Sequence, residues 1–163
     1  FVNVEKYGNT SAASIPIAGQ GSVHASAALA LQILERAGAD TDEVRIADAS
    51  GLSGKNRLSA DALARLLRYA WRADIHPDVL VGALPVAGVD GTLSNRCRAN
   101  GARNAVCAKT GTLSGACTLS GYAATADGDL LCFSFLMNDF SGGAAKVRSI
   151  QDRMCSLMAA LRR

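Results

Sequence analysis

The sequence predicts an α+β fold, an antiparallel sheet with helices packed on it. Two observations carry that reading. Apolar runs at 105–109, 117–125 and 130–137 follow one another, and Asp127-Gly128 between the last two is a hairpin turn signal. Apolar residues at helical spacing lie on both sides of this block, which places helices before and after a run of strands.

The elements follow in order. Residues 1–21 read as a loop-like N-terminal segment of uncertain origin, with Gly8, Asn9, Pro16, Gly19 and Gly21. A helix is predicted over 22–37, where Ala27, Leu31 and Leu34 share one face and Gly38 is a natural stop. Residues 44–47 predict a short strand, and 48–56 a polar loop. Ser59 is placed to cap a helix running to about Arg72, with Asp61 in its first turn and an apolar stripe of Leu63, Leu66, Leu67 and Ala70. Residues 84–96 read as loop. The three strands come next. Val147, Ile150, Met154, Leu157 and Leu161 then mark an amphipathic C-terminal helix, with Arg162 and Arg163 at its negative end.

Composition narrows the function classes. The 163 residues are 49% hydrophobic and 19% charged, enough for one packed domain rather than a disordered chain. A formal charge of +3, scattered along the chain, gives no argument for a nucleic-acid partner. The longest apolar run, 130–137, is far short of the roughly 20 residues a transmembrane span needs. The opening Phe1-Val2-Asn3-Val4-Glu5-Lys6 lacks the pattern of a secretion signal, which reads either as a cytosolic chain or as one whose leader is removed. The five cysteines, Cys97, Cys107, Cys117, Cys132 and Cys155, form no C-x-x-C pair, and only His24 and His76 could join them. No metal or cofactor is called for. Most of the thiols read as small core side chains, with one disulfide possible.

The residues that carry chemistry are Lys109-Thr110-Gly111-Thr112-Leu113, at the end of the first predicted strand. A strand edge can pair with an extended peptide through its backbone. A lysine there supplies positive potential for a carboxylate and can help move a proton near a nucleophile. The Thr110 hydroxyl can bond that carboxylate. Gly111 admits a ligand because it has no side chain, and the N–H of Thr112 can face a developing oxyanion. Lys109 and Thr110 are thus candidate catalytic residues, and Gly111, Thr112 and Leu113 candidate substrate-binding ones.

Three blocks extend the pattern. Asp48-Ala49-Ser50-Gly51-Leu52-Ser53-Gly54-Lys55-Asn56 is similar to the Asp-Gly-Ser-Gly-Leu-Ser-Arg-x-Asn block of the class C penicillin-binding DD-carboxypeptidase/endopeptidase family. Leu84-Pro85-Val86-Ala87-Gly88-Val89-Asp90-Gly91-Thr92-Leu93 resembles that family's Leu-Pro-x-Ala-Gly-x-Asp-Gly-Thr-Leu block. The Lys-Thr-Gly strand and Leu119-Ser120-Gly121-Tyr122 after it resemble the third block, in matching order and spacing. The resemblance covers about 20–163. It implies that 22–163 is the C-terminal part of a penicillin-binding, β-lactamase-like transpeptidase domain. It also implies serine acyl transfer on D-Ala-D-Ala peptides of peptidoglycan, trapping by β-lactam inhibitors, and a periplasmic or cell-envelope location.

The sequence departs from that family in one respect above all. The residues three before Lys6, Lys55, Lys109 and Lys146 are Asn3, Leu52, Val106 and Gly143, so no Ser-x-x-Lys nucleophile motif exists here. In the family that motif lies upstream, which implies a fragment whose partner is a missing N-terminal half. A non-catalytic module that binds peptidoglycan peptides or β-lactams is the alternative. Tyr7-Gly8-Asn9 has the form of the family's middle motif and makes Asn9 a third candidate catalytic residue. The stretch 3–16 separately resembles the active-site asparagine segment of β-ketoacyl-acyl-carrier-protein synthase III.

Several polar residues have blander readings. Ser50 and Ser53 are explained by turn chemistry, and Asp48 and Asp90 by loop-shaping bonds to backbone N–H groups. His24 and His76 read as surface or loop residues. Arg96 is open between a peptide carboxylate and a salt bridge.

Overall fold

A computed structural model of the chain describes residues 23–48, 51, 53–72, 77–99 and 101–162. The element order is α1 (Val23–Arg36), α2 (Ala60–Arg72), α3 (Pro77–Gly82), a 3-10 turn (Gly91–Leu93), β1 (Val106–Leu113), β2 (Ala116–Ala124), β3 (Leu130–Asn138) and α4 (Ala144–Ala160). The strands form one antiparallel sheet in the order β1-β2-β3, as the α+β reading expects. Among the described residues no strand pairs with the outer edge of β3.

The hairpins follow from their turn residues. Leu113 pairs with Ala116, leaving Ser114-Gly115 as a two-residue connection in which Gly115 takes a left-handed φ of 73°. Between β2 and β3, Thr125 holds the loop: its C=O accepts from Gly128 N–H, its hydroxyl accepts from Asp129 N–H, and its own N–H donates to Asp129 C=O. Ser59 caps α2 as expected, its Oγ accepting from Ala62 N–H at 3.0 Å.

Helices cover both faces of the sheet. On one face α2 meets β2 and β3, where the buried Tyr122 hydroxyl donates to Leu67 C=O at 2.8 Å and the Trp71 and Tyr122 rings lie 5.7 Å apart. On the other face α4 closes a core of Ala87, Leu93, Cys97, Val106, Ala108, Leu119, Ala123, Cys155 and Ala159.

Three expectations need correcting, and the reading of the cysteines as core thiols holds for Cys97, Cys117 and Cys155. The stripe drawn on the C-terminal helix is rotated: Ile150 and Leu157 are 52% and 69% exposed, while Gln151 is 0% exposed. The reason is polar. Gln151 Nε2 donates to Cys117 C=O and its Oε1 accepts from Arg96, so burial needs an amide there. That helix also ends at Ala160, so Leu161 and Arg162 lie beyond it. The strand at 44–47 is a single bridge, Arg45 to Arg57. All five cysteines are free thiols.

Candidate functional site

The first predicted strand runs four residues further than its apolar pattern, to Leu113, so Lys109-Thr110-Gly111-Thr112-Leu113 lies inside β1 rather than at its end. Pairing with β2 carries the strand through its glycine: Lys109 faces Ser120, Gly111 faces Thr118 and Thr112 faces Cys117. A side chain at position 111 would run into Thr118 Oγ1, which would have to turn away, so glycine suits this approach of strands best.

β1 is an edge strand, and its outer edge is half covered. Ala87 N–H donates to Val106 C=O at 2.8 Å, and Ala108 N–H donates to Pro85 C=O at 3.0 Å. In an antiparallel ladder a residue's N–H and C=O point the same way and alternate from residue to residue. Val106 and Ala108 therefore aim theirs outward, and so do Thr110 and Thr112. Residues 85–87 stop short of that second pair. Among the described residues no backbone group pairs with the outward groups of Thr110 and Thr112, and the Thr110 C=O takes the Lys109 ammonium.

Side chains converge on this stretch. Lys109 shares the α2 side of the sheet with its pair mate Ser120, and its ammonium donates to Thr110 C=O at 2.7 Å. Burial holds its pKa below the ordinary value near 10.5, because desolvation penalises the charged form. Thr110 Oγ1 donates to Thr92 Oγ1 at 3.0 Å, which joins the 3-10 turn to the strand. Thr112 is exposed, and its Oγ1 accepts from Arg148 Nη2 of α4 at 3.2 Å. The arrangement is a short peptide-pairing edge flanked by hydroxyls and two cations. It can take an extended ligand with a negative end.

The remaining candidates divide. Asn9, the stretch 3–16, Ser50 and His76 lie outside the described residues, as does the side chain of His24. Ser53 Oγ accepts from Lys55 N–H, and Asp90 Oδ1 from Val86 N–H at 2.6 Å, the turn roles expected of them. Arg96 is committed to Asp152 Oδ1 at 2.7 Å and to Gln151 Oε1 at 3.0 Å, which settles it as a structural ion pair. A concave pocket of about 490 Å³ near Arg45, Asp48, Ser53 and Lys55 includes no residue of β1. The strand edge has the chemistry, so it is the candidate site. Thr92 and Arg148 join it without having been singled out as site residues. Thr92 lay within a block already read for resemblance, whereas nothing in the pattern around Arg148 distinguishes it from other surface arginines.

Comparison with known proteins identifies the family and the fold of the chain. Residues 10–161 match the D-Ala-D-Ala carboxypeptidase 3 (S13) family, a range that begins inside the segment set apart as 1–21. The chain is 38% identical over 147 residues to a D-alanyl-D-alanine carboxypeptidase of an Actinomadura species, covering 87% of this chain and 27% of that protein. It is 33% identical over 116 residues to the D-alanyl-D-alanine carboxypeptidase DacB of Haemophilus influenzae, covering 68% and 23%. The crystal structure of penicillin binding protein 4 from Haemophilus influenzae, complexed with a β-lactam, superposes with a TM-score of 0.72 at 25% identity, covering 86% of this chain and 34% of that one. The chain thus spans about a quarter of the length of the curated relatives it matches.

Proposed function

The chain belongs to the D-Ala-D-Ala carboxypeptidase 3 family, and from that premise we propose that it supplies the Lys-Thr-Gly wall of a serine-type DD-carboxypeptidase active site. The observation that carries the reading is the uncovered edge at Thr110 and Thr112 beside the Lys109 ammonium. A peptidoglycan peptide ending in D-Ala-D-Ala lies along it as an added strand, its carboxylate near the threonine hydroxyls. The nucleophilic serine comes from an N-terminal half outside residues 1–163.

The chemistry follows from that geometry. The serine oxygen bonds to the penultimate carbonyl carbon and gives up its proton. The outward N–H of Thr112 faces the oxygen that becomes an oxyanion. Donors of this kind are worth about 100- to 1000-fold in rate. The C–N bond then breaks, the departing D-Ala nitrogen takes the proton the serine gave up, and water cleaves the ester, its oxygen going to the acyl carbon and its proton restoring the serine hydroxyl. Lys109, with its pKa lowered by burial, raises local positive potential without binding its proton as tightly as a solvated lysine. β-Lactams stop at the ester stage. The substrate places the protein in the periplasm or cell envelope.

The absence of Ser-x-x-Lys from residues 1–163 favours a second reading, a module that binds such peptides or β-lactams without catalysis. Fluorescent penicillin separates the two. The complete polypeptide that carries this chain is expected to label covalently, and Lys109→Ala to lose most of the acylation rate while staying folded. Near-normal acylation in that variant would overturn the site. Reversible binding with no covalent label would favour the non-catalytic module.

A further inference from the structure

Cys97 and Cys155 have no part in the proposed reaction, yet the fold brings them together. The segment after the 3-10 turn lies along α4. Arg96 Nη2 donates to Arg148 C=O and to Asp152 Oδ1, Cys97 Sγ donates to Asp152 Oδ1 at 3.2 Å, and Ala99 C=O accepts from Ser156 Oγ at 3.0 Å. Residues three apart are neighbours on a helix surface, so Cys155 stands beside Asp152 and meets the same side chain. Both thiols are buried in one core cluster. A hydrogen bond with the Cys155 thiol, then burial, then Asp152 push the Cys97 thiol well above its ordinary range. Cys97 also holds a left-handed φ of 51°, uncommon for any residue with a side chain. Glycine would take that backbone without strain, so the fold bears strain to keep a thiol facing α4.

The other cysteines are worse placed. Cys107 and Cys132 pair with Tyr122 from opposite sides. A strand thus separates them, roughly 10 Å where a bridge needs Cα atoms within about 7 Å. Cys117 Sγ meets Gln151 Oε1 at 3.8 Å instead of a thiol.

We propose that Cys97 and Cys155 are a disulfide-forming pair, which staples α4 to the segment carrying the 3-10 turn as the chain folds in an oxidising compartment. The structure holds both as thiols, and a two-electron oxidation joins them. One thiolate attacks the S–S bond of a disulfide oxidant, such as oxidised glutathione, and releases one of its sulfurs as a thiol. The second thiolate attacks the mixed disulfide and releases the other. The cysteines give up two protons and two electrons, and the oxidant leaves as two thiols. Burial of both groups, and the raised pKa of Cys97, slow this step in the folded chain, so the bridge forms during folding and is then shielded from reductants. The loop it closes contains all three strands, and long loops gain most from closure. Of the function proposed above, the staple needs only the envelope location.

The test uses the complete polypeptide produced in a bacterial periplasm, unfolded in an alkylating agent and digested without reduction. Mass spectrometry is expected to find Cys97 joined to Cys155 in most molecules. Strong reductant is expected to lower Tm by about 4–8 °C in the parent and not in Cys97→Ala. The peptide map decides alone should that variant fail to fold. Both cysteines alkylated in most molecules, or either joined to a different cysteine, overturns the proposal. So does a reductant effect of equal size in Cys97→Ala. Penicillin labelling of the same preparation reports on the enzyme reading separately.

Discussion

Gly121 and Gly111 both sit in paired strands, yet alanine at the two positions should cost different amounts. A Cβ on Gly121 would strike Cys107 C=O and stand 2.6 Å from Ala108 Cα and 2.8 Å from Ala108 Cβ. Carbon atoms in good contact stand at about 3.5–4.0 Å, so β1 must retreat by about 1 Å at the residue before Lys109. No rotamer change relieves it, because two of the three atoms belong to backbone. Overpacking typically costs 1–3 kcal/mol, and Gly121→Ala should reach about 3 kcal/mol. For a chain of 163 residues that lowers Tm by roughly 6–12 °C. A Cβ on Gly111 would meet only the Thr118 side chain, with Oγ1 the near atom, which can turn away. Gly111→Ala should cost about 1 kcal/mol, and Thr118→Ala in the same chain should recover most of it. Urea denaturation of the three variants measures this. A Gly121→Ala no less stable than the parent, or a Gly111→Ala cost unchanged by Thr118→Ala, would refute the steric account.

Two further outcomes follow from the same structure. Tyr122→Phe removes the bond to Leu67 C=O across the buried α2–sheet seam and should lower unfolding free energy by about 1–1.5 kcal/mol in urea. Lys109→Met should raise thermal stability at pH 7, since below its lowered folded pKa the ammonium carries the full desolvation penalty. That penalty shrinks as pH climbs through the folded value and is gone above the ordinary value near 10.5. The Tm gap between variant and parent should therefore narrow with rising pH, and a gap that widens would contradict the sign.

The sheet was legible because its strands are continuous apolar runs divided by turn residues, and Asp127-Gly128 marked one bend outright. Lys109 to Leu113 were legible as a group because a cation, a hydroxyl and a glycine stand in one short order. Two things were not. The extension of β1 through Gly111 rests on its pairing with β2 up to Leu113 and Ala116, and local propensity argues against a glycine there. The inward face of α4 is set by Gln151, which answers to Cys117 and Arg96, 34 and 55 residues away. A periodicity count sees an amide as surface. Thr92 and Arg148 reach the edge from 18 and 36 residues away, through tertiary contacts no spacing rule encodes.

The far side of the sheet has its own consequence. β3 reads Leu-Leu-Cys-Phe-Ser-Phe-Leu-Met-Asn, nine residues without a proline or a charge. Such a ribbon, with no strand on its outer edge among the described residues, is adhesive and recruits copies of itself. Asp129 and Asp139 stand immediately before and after it, where charge discourages stacking at the ends but not along the middle. In solution at high concentration residues 1–163 will be a colloidal problem before they are an enzymological one, and a lysine introduced on β3 would be the first remedy to try.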